Sequence, residues 1–110
     1  MDMSNVDFQI VDDRGHLTLT GKLDVFEAPA LLQAARQAVA AARPIIMQVA
    51  GLERVDASIF QILLALRQDA ERQGRSLQVI GAGPSLQQLG QLLGGERSLF
   101  HRDSEGVSPL

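Results

Sequence analysis

The segment Asp56-Ala57-Ser58 holds the side chains of this sequence that are best placed to do chemistry. Asp56 lies just before an apolar helical pattern, and its carboxylate is suited to accept a hydrogen bond from a free N–H group at a helix start. This places Ser58 at about the second helical position, where unsatisfied N–H groups and the helix dipole favour an added phosphate of about −1.5 to −2 charges. The residues alone leave two interpretations open: Ser58 is a polar first-turn residue, or it is a hydroxyl that becomes modified.

Other groups that could do chemistry lack the partners that their chemistry needs. Asp12 and Asp13 form a carboxylate pair, but a phospho-acceptor pocket of the receiver type also needs a lysine at a later strand end, and the only lysine is Lys22. His16 and His101 are far apart and follow no metal-ligand spacing. The "GAGPS" segment lacks the Lys-Ser/Thr pair of a phosphate-binding loop. We therefore expect no catalytic residue, no metal and no cofactor.

Composition narrows the class of protein. The chain has 110 residues, which suits a single domain over 1–110. Aromatic residues make up 4% and the net charge is −3, so we expect no nucleic-acid partner.

The absence of cysteine fits a reducing cytoplasm. The acidic N-terminus lacks the apolar region of a secretory signal, and the longest apolar run, Ile62–Leu66, is far below the roughly 20 residues that span a bilayer. The prediction is a cytoplasmic protein without direct membrane insertion.

Hydrophobic periodicity predicts an N-terminal hairpin followed by alternating helices and strands. Apolar and polar residues alternate on both sides of a turn expected over residues 13–15, with Gly15 at a positive φ. Asp24 then caps a helix over Val25–Ala42, which ends before a proline. The apolar segment "PIIMQVAG" predicts a central strand covered on both faces, and Gly51 is expected to begin a loop.

The second half of the chain begins with a predicted helix over Ala57–Gln73, with Gly74 just beyond its end. "SLQVIGAG" predicts a further strand and "PSLQQLGQLLGG" a third helix, while "RSLFHRD" predicts either a short last strand or an edge segment before a frayed tail. One side of the Ala57–Gln73 helix is apolar and is expected to face the core, while the other is polar and is expected to face water. The apolar stripe consists of Ile59, Ile62, Leu63, Leu66 and Ala70, and the polar face of Gln61, Arg67, Gln68, Glu71 and Arg72.

The order of these segments resembles that of STAS domains (sulphate transporter and anti-sigma factor antagonist). "LTLTGKLDVFEAPALLQAARQAV" resembles the strand, G-x-L-D turn and helix that open the family, and "PIIMQVAGLERVDASIFQILLALRQDAERQGRSLQVIGAGPSLQQLGQLLG" resembles the elements that follow. The resemblance covers about Val6–Gly95. It implies an α/β fold of the STAS type in the order β-β-α-β-α-β-α, with a mixed sheet of four to five strands and an N-terminal hairpin. The core would span about residues 6–95, followed by a flexible C-terminal tail.

The resemblance also implies a site. In the anti-sigma factor antagonist branch, a partner kinase that is also the anti-sigma factor phosphorylates the second serine of a D-S-S-G motif. Ser58 matches that phosphorylation site. The implied partner-binding surface is Asp24, Asp56, Ala57, Ser58 and Ile59. Ile59 stands where the family has glycine, and its place in the apolar stripe predicts that its side chain turns inward.

The implied function is a regulatory protein–protein interaction domain and not an enzyme. Its expected partner is an anti-sigma factor or serine kinase, or a chemotaxis-type signalling protein. An alternative implied by the same family is a STAS subunit of a lipid-transporting ABC complex, in which the domain braces the ATPase. The sequence leaves the identity of the partner and the oligomeric state open.

Overall fold

The structure, a computed structural model, describes residues 5–84 and 86–88 of the chain. A hairpin is followed by alternating helices and strands, in the predicted order. Pro84 and residues 86–88 are helical, at the place predicted for a third helix. The elements are β1 (Val6–Val11), β2 (Arg14–Leu23), a one-turn 3-10 helix (Val25–Glu27), α1 (Ala28–Ala40), β3 (Ile45–Val55), α2 (Ala57–Arg72) and β4 (Leu77–Ile80).

Three predictions fall outside the described residues: the remainder of the third helix, the last strand with His101, and the flexible tail. Among the helices of residues 5–84 and 86–88, none is long and apolar enough to cross a membrane.

The described strands form one mixed sheet in the order β1-β2-β3-β4. β1 and β2 pair antiparallel as a hairpin, whereas β3 runs parallel to both β2 and β4. Two successive crossovers between parallel strands that run in the same direction along the sheet place α1 and α2 on the same face. This confirms the predicted α/β fold with a mixed four-stranded sheet.

The hairpin turn differs from the prediction. Asp12 and Asp13 occupy it, with φ values of 53° and 64°, as a two-residue turn between antiparallel strands commonly requires. Gly15 lies instead within β2, paired with Ile10. A Cβ at Gly15 would lie 2.9 Å from Cε1 of Phe8. The glycine is therefore needed to make room for that ring and not to form the turn. Asp can adopt a left-handed conformation at moderate cost, so the turn does not need a glycine.

β3 is longer and less covered than predicted. It continues through Gly51 to Val55, because β2 extends alongside it and pairs with these residues up to Leu23. Its buried side chains alternate along one face, whereas Ile46 and Gln48 on the other face are half-buried. The described helices therefore cover the sheet on one face only, and the prediction of a strand covered on both faces was wrong for the described part of the chain.

The core lies between that face of the sheet and the two helices. α2 contributes its predicted stripe with two exceptions: Phe60, which the prediction omitted, is fully buried, and Ile62 is only half-buried. Arg67, predicted to face water, is 3% exposed, and its Nε lies 3.5 Å from the Glu71 carboxylate. The buried apolar residues are Leu17, Leu19, Leu23, Leu31, Ala34, Ala35, Ala38, Ile45, Met47, Val49, Ile59, Phe60, Leu63, Leu66, Ala70 and Leu77.

The C-terminus of α2 follows the prediction. Gly74 has a φ of 71°. Its N–H donates to the Glu71 carbonyl at 3.0 Å, and the N–H of Arg75 donates to the Ala70 carbonyl at 2.9 Å. This pair of bonds is the Schellman arrangement, which satisfies carbonyls that the helix leaves without partners.

Candidate functional site

Two helices begin side by side at the carboxyl edge of the sheet. Leu23, the last residue of β2, is the register partner of Val55, the last residue of β3. Each strand is followed directly by an aspartate, Asp24 or Asp56, that caps the next helix. The N–H of Asp56 donates to the carbonyl of Leu23 at 3.2 Å, which ties the two starts together. The topology therefore brings together residues that are 32 positions apart, as the sequence-based site requires.

The first start is closed by a capping box. The side chain of Asp24 accepts from the N–H of Phe26 at 2.9 Å, and the Glu27 carboxylate accepts from the N–H of Asp24 at 3.1 Å. The predicted cap is thus confirmed, but the helix opens with the 3-10 turn before α1 begins at Ala28. Reciprocal bonds of this kind satisfy two N–H groups at once and hold the turn in one conformation.

The second start holds the candidate acceptor. Oδ1 of Asp56 accepts from the N–H of Ile59 at 3.0 Å and from the hydroxyl of Ser58 at 2.8 Å. Ser58 is the second helical residue, as predicted, and it is exposed. Its hydroxyl proton is therefore directed to the carboxylate, while the oxygen itself lies at the surface with the N–H groups of the helix start.

The pKa of the Asp56 carboxyl group lies below its usual value. The main cause is the hydrogen bond from the N–H of Ile59, followed by the bond from the Ser58 hydroxyl, with smaller contributions from the N–H groups of Ser58 and Val25. All four donors stabilise the ionised form. Val25 belongs to the neighbouring helix start, so the carboxylate of the second start also lies in the field of the first.

The predicted surface residues do not contribute equally. Asp24, Ala57 and Ser58 are exposed, and Asp56 is half-buried. Ile59 is fully buried and presents no side chain at the surface, in agreement with its predicted inward orientation. What Ile59 supplies to the site is its N–H, which helps to hold Asp56 in place.

Sequence reasoning missed an apolar part of this edge. Phe26 is 85% exposed and Val25 57% exposed, and both lie on the 3-10 turn beside the second helix start. The signal was present in the sequence, because an apolar pair directly follows the Asp24 cap and precedes the apolar stripe of α1. The predicted helix over Val25–Ala42 includes this pair and does not assign it to the surface.

The chemistry available at this edge is that of recognition and modification. The described residues bring a hydroxyl, three carboxylates and an apolar pair together, with no basic or imidazole group hydrogen-bonded to the hydroxyl. Over residues 5–84 and 86–88, no group of three or more His, Cys, Asp or Glu side chains is placed to hold a metal ion. An arrangement of this kind can accept a phosphoryl group from a partner or present a shaped surface to one.

Comparison with known families gives a match over most of the chain. Residues 6–100 match the family model described as "Mlab, STAS domain". Among curated protein sequences, none matches this chain.

Solved structures with the same fold include anti-sigma factor antagonists. The unphosphorylated form of the antagonist SpoIIAA is similar with a TM-score of 0.69 at 18% identity, over 79% of this chain and 82% of that one. An anti-sigma factor antagonist from Mycobacterium paratuberculosis gives 0.71 at 22% identity, over 84% and 79% of the two chains. A serine-to-glutamate variant of RsbS from Moorella thermoacetica gives 0.68 at 21% identity, over 83% and 79%. At these identities the likeness concerns the fold.

Proposed function

Because this chain belongs to the STAS-domain family, we propose that it is a regulatory protein–protein interaction domain of the anti-sigma factor antagonist kind, switched by phosphorylation of Ser58. The proposed partner is a serine kinase, an anti-sigma factor that is itself such a kinase, or a signalling protein of the chemotaxis type. The proposed binding surface is the carboxyl edge of the sheet, with Asp24, Asp56, Ala57 and Ser58 around the two helix starts and Ile59 supporting them from below. No catalytic role, metal or cofactor is proposed.

The observation that carries this proposal is the exposed Ser58 hydroxyl at the start of α2. A kinase can reach it without unfolding the chain, since it lies on the second helical residue and not in the core. The N–H groups of the first turn favour a phosphate there, because they have no partner within the helix and carry the positive end of the dipole.

Phosphorylation would change this edge in a specific way. The Ser58 oxygen would lose the proton that it now donates to Asp56 at 2.8 Å. About −1.5 to −2 charges would then stand next to an ionised carboxylate. The helix start attracts the phosphate and Asp56 repels it, so the two groups must move apart. A partner that fits the unmodified edge would meet a different shape and charge after modification.

The test is incubation of the full chain with ATP and a cognate serine kinase, followed by mapping of phosphate by mass spectrometry. We expect phosphate on Ser58 and its loss in Ser58→Ala. Ser76 is the matched control, because it is also an exposed serine but lies at the opposite edge, where its carbonyl bonds to the first residue of β3. Phosphate on Ser76 alone, or on no residue, would refute the switch.

Binding measurements separate the switch from a merely structural hydroxyl. Ser58→Asp introduces part of the phosphate charge and should weaken partner binding, whereas Ser58→Ala only removes the bond to Asp56. If both variants bind the partner equally well, the hydroxyl is structural and phosphorylation is not the switch.

A second candidate is the STAS subunit of a lipid-transporting ABC complex that braces the ATPase. It is favoured by the bond from Ser58 to Asp56, which is a sufficient structural reason for a serine at this position. Co-purification of the chain with an ATPase subunit, unaffected by kinase treatment, would select this function over the first.

A further inference from the structure

An apolar groove runs between the two helices on the face away from the sheet. Its volume is about 460 Å³. Leu32, Ala35 and Val39 of α1 form one wall, and Ile62 and Ala65 of α2 form the other. Leu32 is 41% exposed, so a large apolar side chain at the groove remains in contact with water.

The ring of Phe26, called the knob below, projects from the helical layer that also contains the groove. Phe26 is 85% exposed, the highest value among the large apolar residues that the structure describes. Its 3-10 turn packs against both α1 and α2, so knob and groove belong to one layer. The capping box of Asp24 and Glu27 fixes the backbone of the turn that carries it, so burial of the ring would not have to order that backbone.

Charges around the knob and the groove are complementary. The knob is flanked by the Asp24 and Glu27 carboxylates. Two charged residues line the groove, Arg36 and Asp69. Asp69 is ion-paired with Arg72, so its charge is offset within the chain. Arg36 is exposed and forms no ion pair with a residue in the described ranges, which leaves its charge available to an incoming carboxylate.

We propose that two copies of this chain associate about a two-fold axis, each inserting Phe26 into the other's groove between α1 and α2. In such a dimer Arg36 of one copy faces the carboxylates that flank Phe26 of the other. A two-fold arrangement seats both rings in both grooves at once and closes the contact, whereas head-to-tail insertion would leave one groove and one ring free and would continue into larger assemblies. A small apolar ligand could fill the groove but would leave the ring of Phe26 in water. The proposal does not depend on phosphorylation of Ser58.

The first test is sedimentation velocity of the full chain from low micromolar to near-millimolar concentration. We expect a concentration-dependent dimer, and in Phe26→Ser a dissociation constant raised by roughly tenfold or more, since an aromatic anchor often carries much of the energy of a small interface. Ile10→Ser is the matched control, because Ile10 is also a large exposed apolar residue, at 51%, but lies on β1. Far-UV circular dichroism checks that each variant is folded.

The second test fills the groove and leaves Phe26 intact. Ala65→Phe places a ring in the groove and should weaken the dimer as strongly as Phe26→Ser. Gln68→Phe is its control, since Gln68 is exposed on the same helix but does not line the groove. Arg36→Glu should weaken the dimer by a smaller factor, and Arg14→Glu, on the hairpin, should not.

Three results would overturn the proposal. A monomer at every concentration would show that a second copy does not occupy the groove, which would leave it to the chain beyond residue 88 or to another protein. An unchanged dimer in Phe26→Ser would place the interface elsewhere. A dimer that Phe26→Ser abolishes and Ala65→Phe leaves intact would show that the ring docks outside the groove.

Discussion

The two helix starts at the carboxyl edge share an aspartate cap but use the aromatic residue behind it in opposite ways. After Asp24, the ring of Phe26 is 85% exposed, whereas after Asp56 the ring of Phe60 is completely buried. Phe26 follows its cap by two positions and Phe60 by four. In this chain the same residue type is therefore exposed two positions after one cap, in a 3-10 turn, and buried four positions after the other, in an α-helix.

Helical geometry explains why two positions matter so much. Residues three or four apart share a face, so Phe60 joins the buried row that continues through Leu63 and Leu66. In α1 the corresponding row runs through Leu31 and Ala38, and Phe26 lies outside it. The ring of Phe60 therefore stabilises the core, whereas the ring of Phe26 remains available to contact another molecule.

The largest effect expected from this comparison is on global stability. Phe60→Ala should lower the free energy of unfolding by about 3–5 kcal/mol, because it removes a fully buried ring and leaves a cavity. At concentrations where the chain is monomeric, Phe26→Ala should change it by no more than about 0.5 kcal/mol, since the ring is then in water. Urea unfolding followed by circular dichroism measures both. A comparable loss in the two variants would mean that Phe26 packs against the fold in solution.

The next effect concerns the two caps. Asp56→Ala should lower Tm by several degrees, because this carboxylate accepts from Ile59 and Ser58 at the start of a 16-residue helix of the core. Asp24→Ala should lower it less, since its cap serves a three-residue turn without buried residues. Asp7→Ala, on the exposed side of β1, is the control for loss of a surface carboxylate. A larger decrease in Tm for Asp24→Ala than for Asp56→Ala would contradict this prediction.

The smallest effect is a dependence of stability on pH at the helix start that Asp56 caps. The pKa of Asp56 is lower in the folded chain than its ordinary value of 3.8, so its ionised form stabilises the fold. That stabilisation is fully present above the ordinary pKa and is lost as the pH falls through the lowered one. Asp56→Asn keeps a capping oxygen but cannot ionise. The Tm difference between wild type and Asp56→Asn should be constant near neutrality and should shrink in acid.

A Tm difference that stays constant down to the most acidic measurement would show that Asp56 does not couple folding to protonation. Asp24→Asn provides a parallel measurement at the other start, so the two caps can be compared under identical conditions.

Much of this fold could be predicted from local pattern. The Asp24 and Asp56 caps, the position of Ser58 and the glycine that ends α2 each depend on a few neighbouring residues, and the structure has them as predicted. Two errors have a common cause. Gly15 lies in β2 against the ring of Phe8 on β1, and β3 continues past Gly51 because β2 pairs with it, so in both cases a neighbouring strand that local pattern does not contain decided the outcome. The third error is Arg67, which is buried beside Glu71 of the same helix although the polar pattern of α2 places it in water.

The sequence by itself determined the order of the elements and the chemistry available at the helix starts, since periodicity and capping act over one or two turns. Only the tertiary structure decided which of these side chains lie close to one another. Parallel pairing of β2 with β3 places Asp24 beside Asp56 and adds the exposed Phe26 to the edge that carries Ser58. Pairing of α1 with α2 opens the groove between them. Both the edge and the groove arise from contacts between residues about 30 positions apart. Such contacts depend on how the strands and helices pack, which periodicity and capping over one or two turns do not determine.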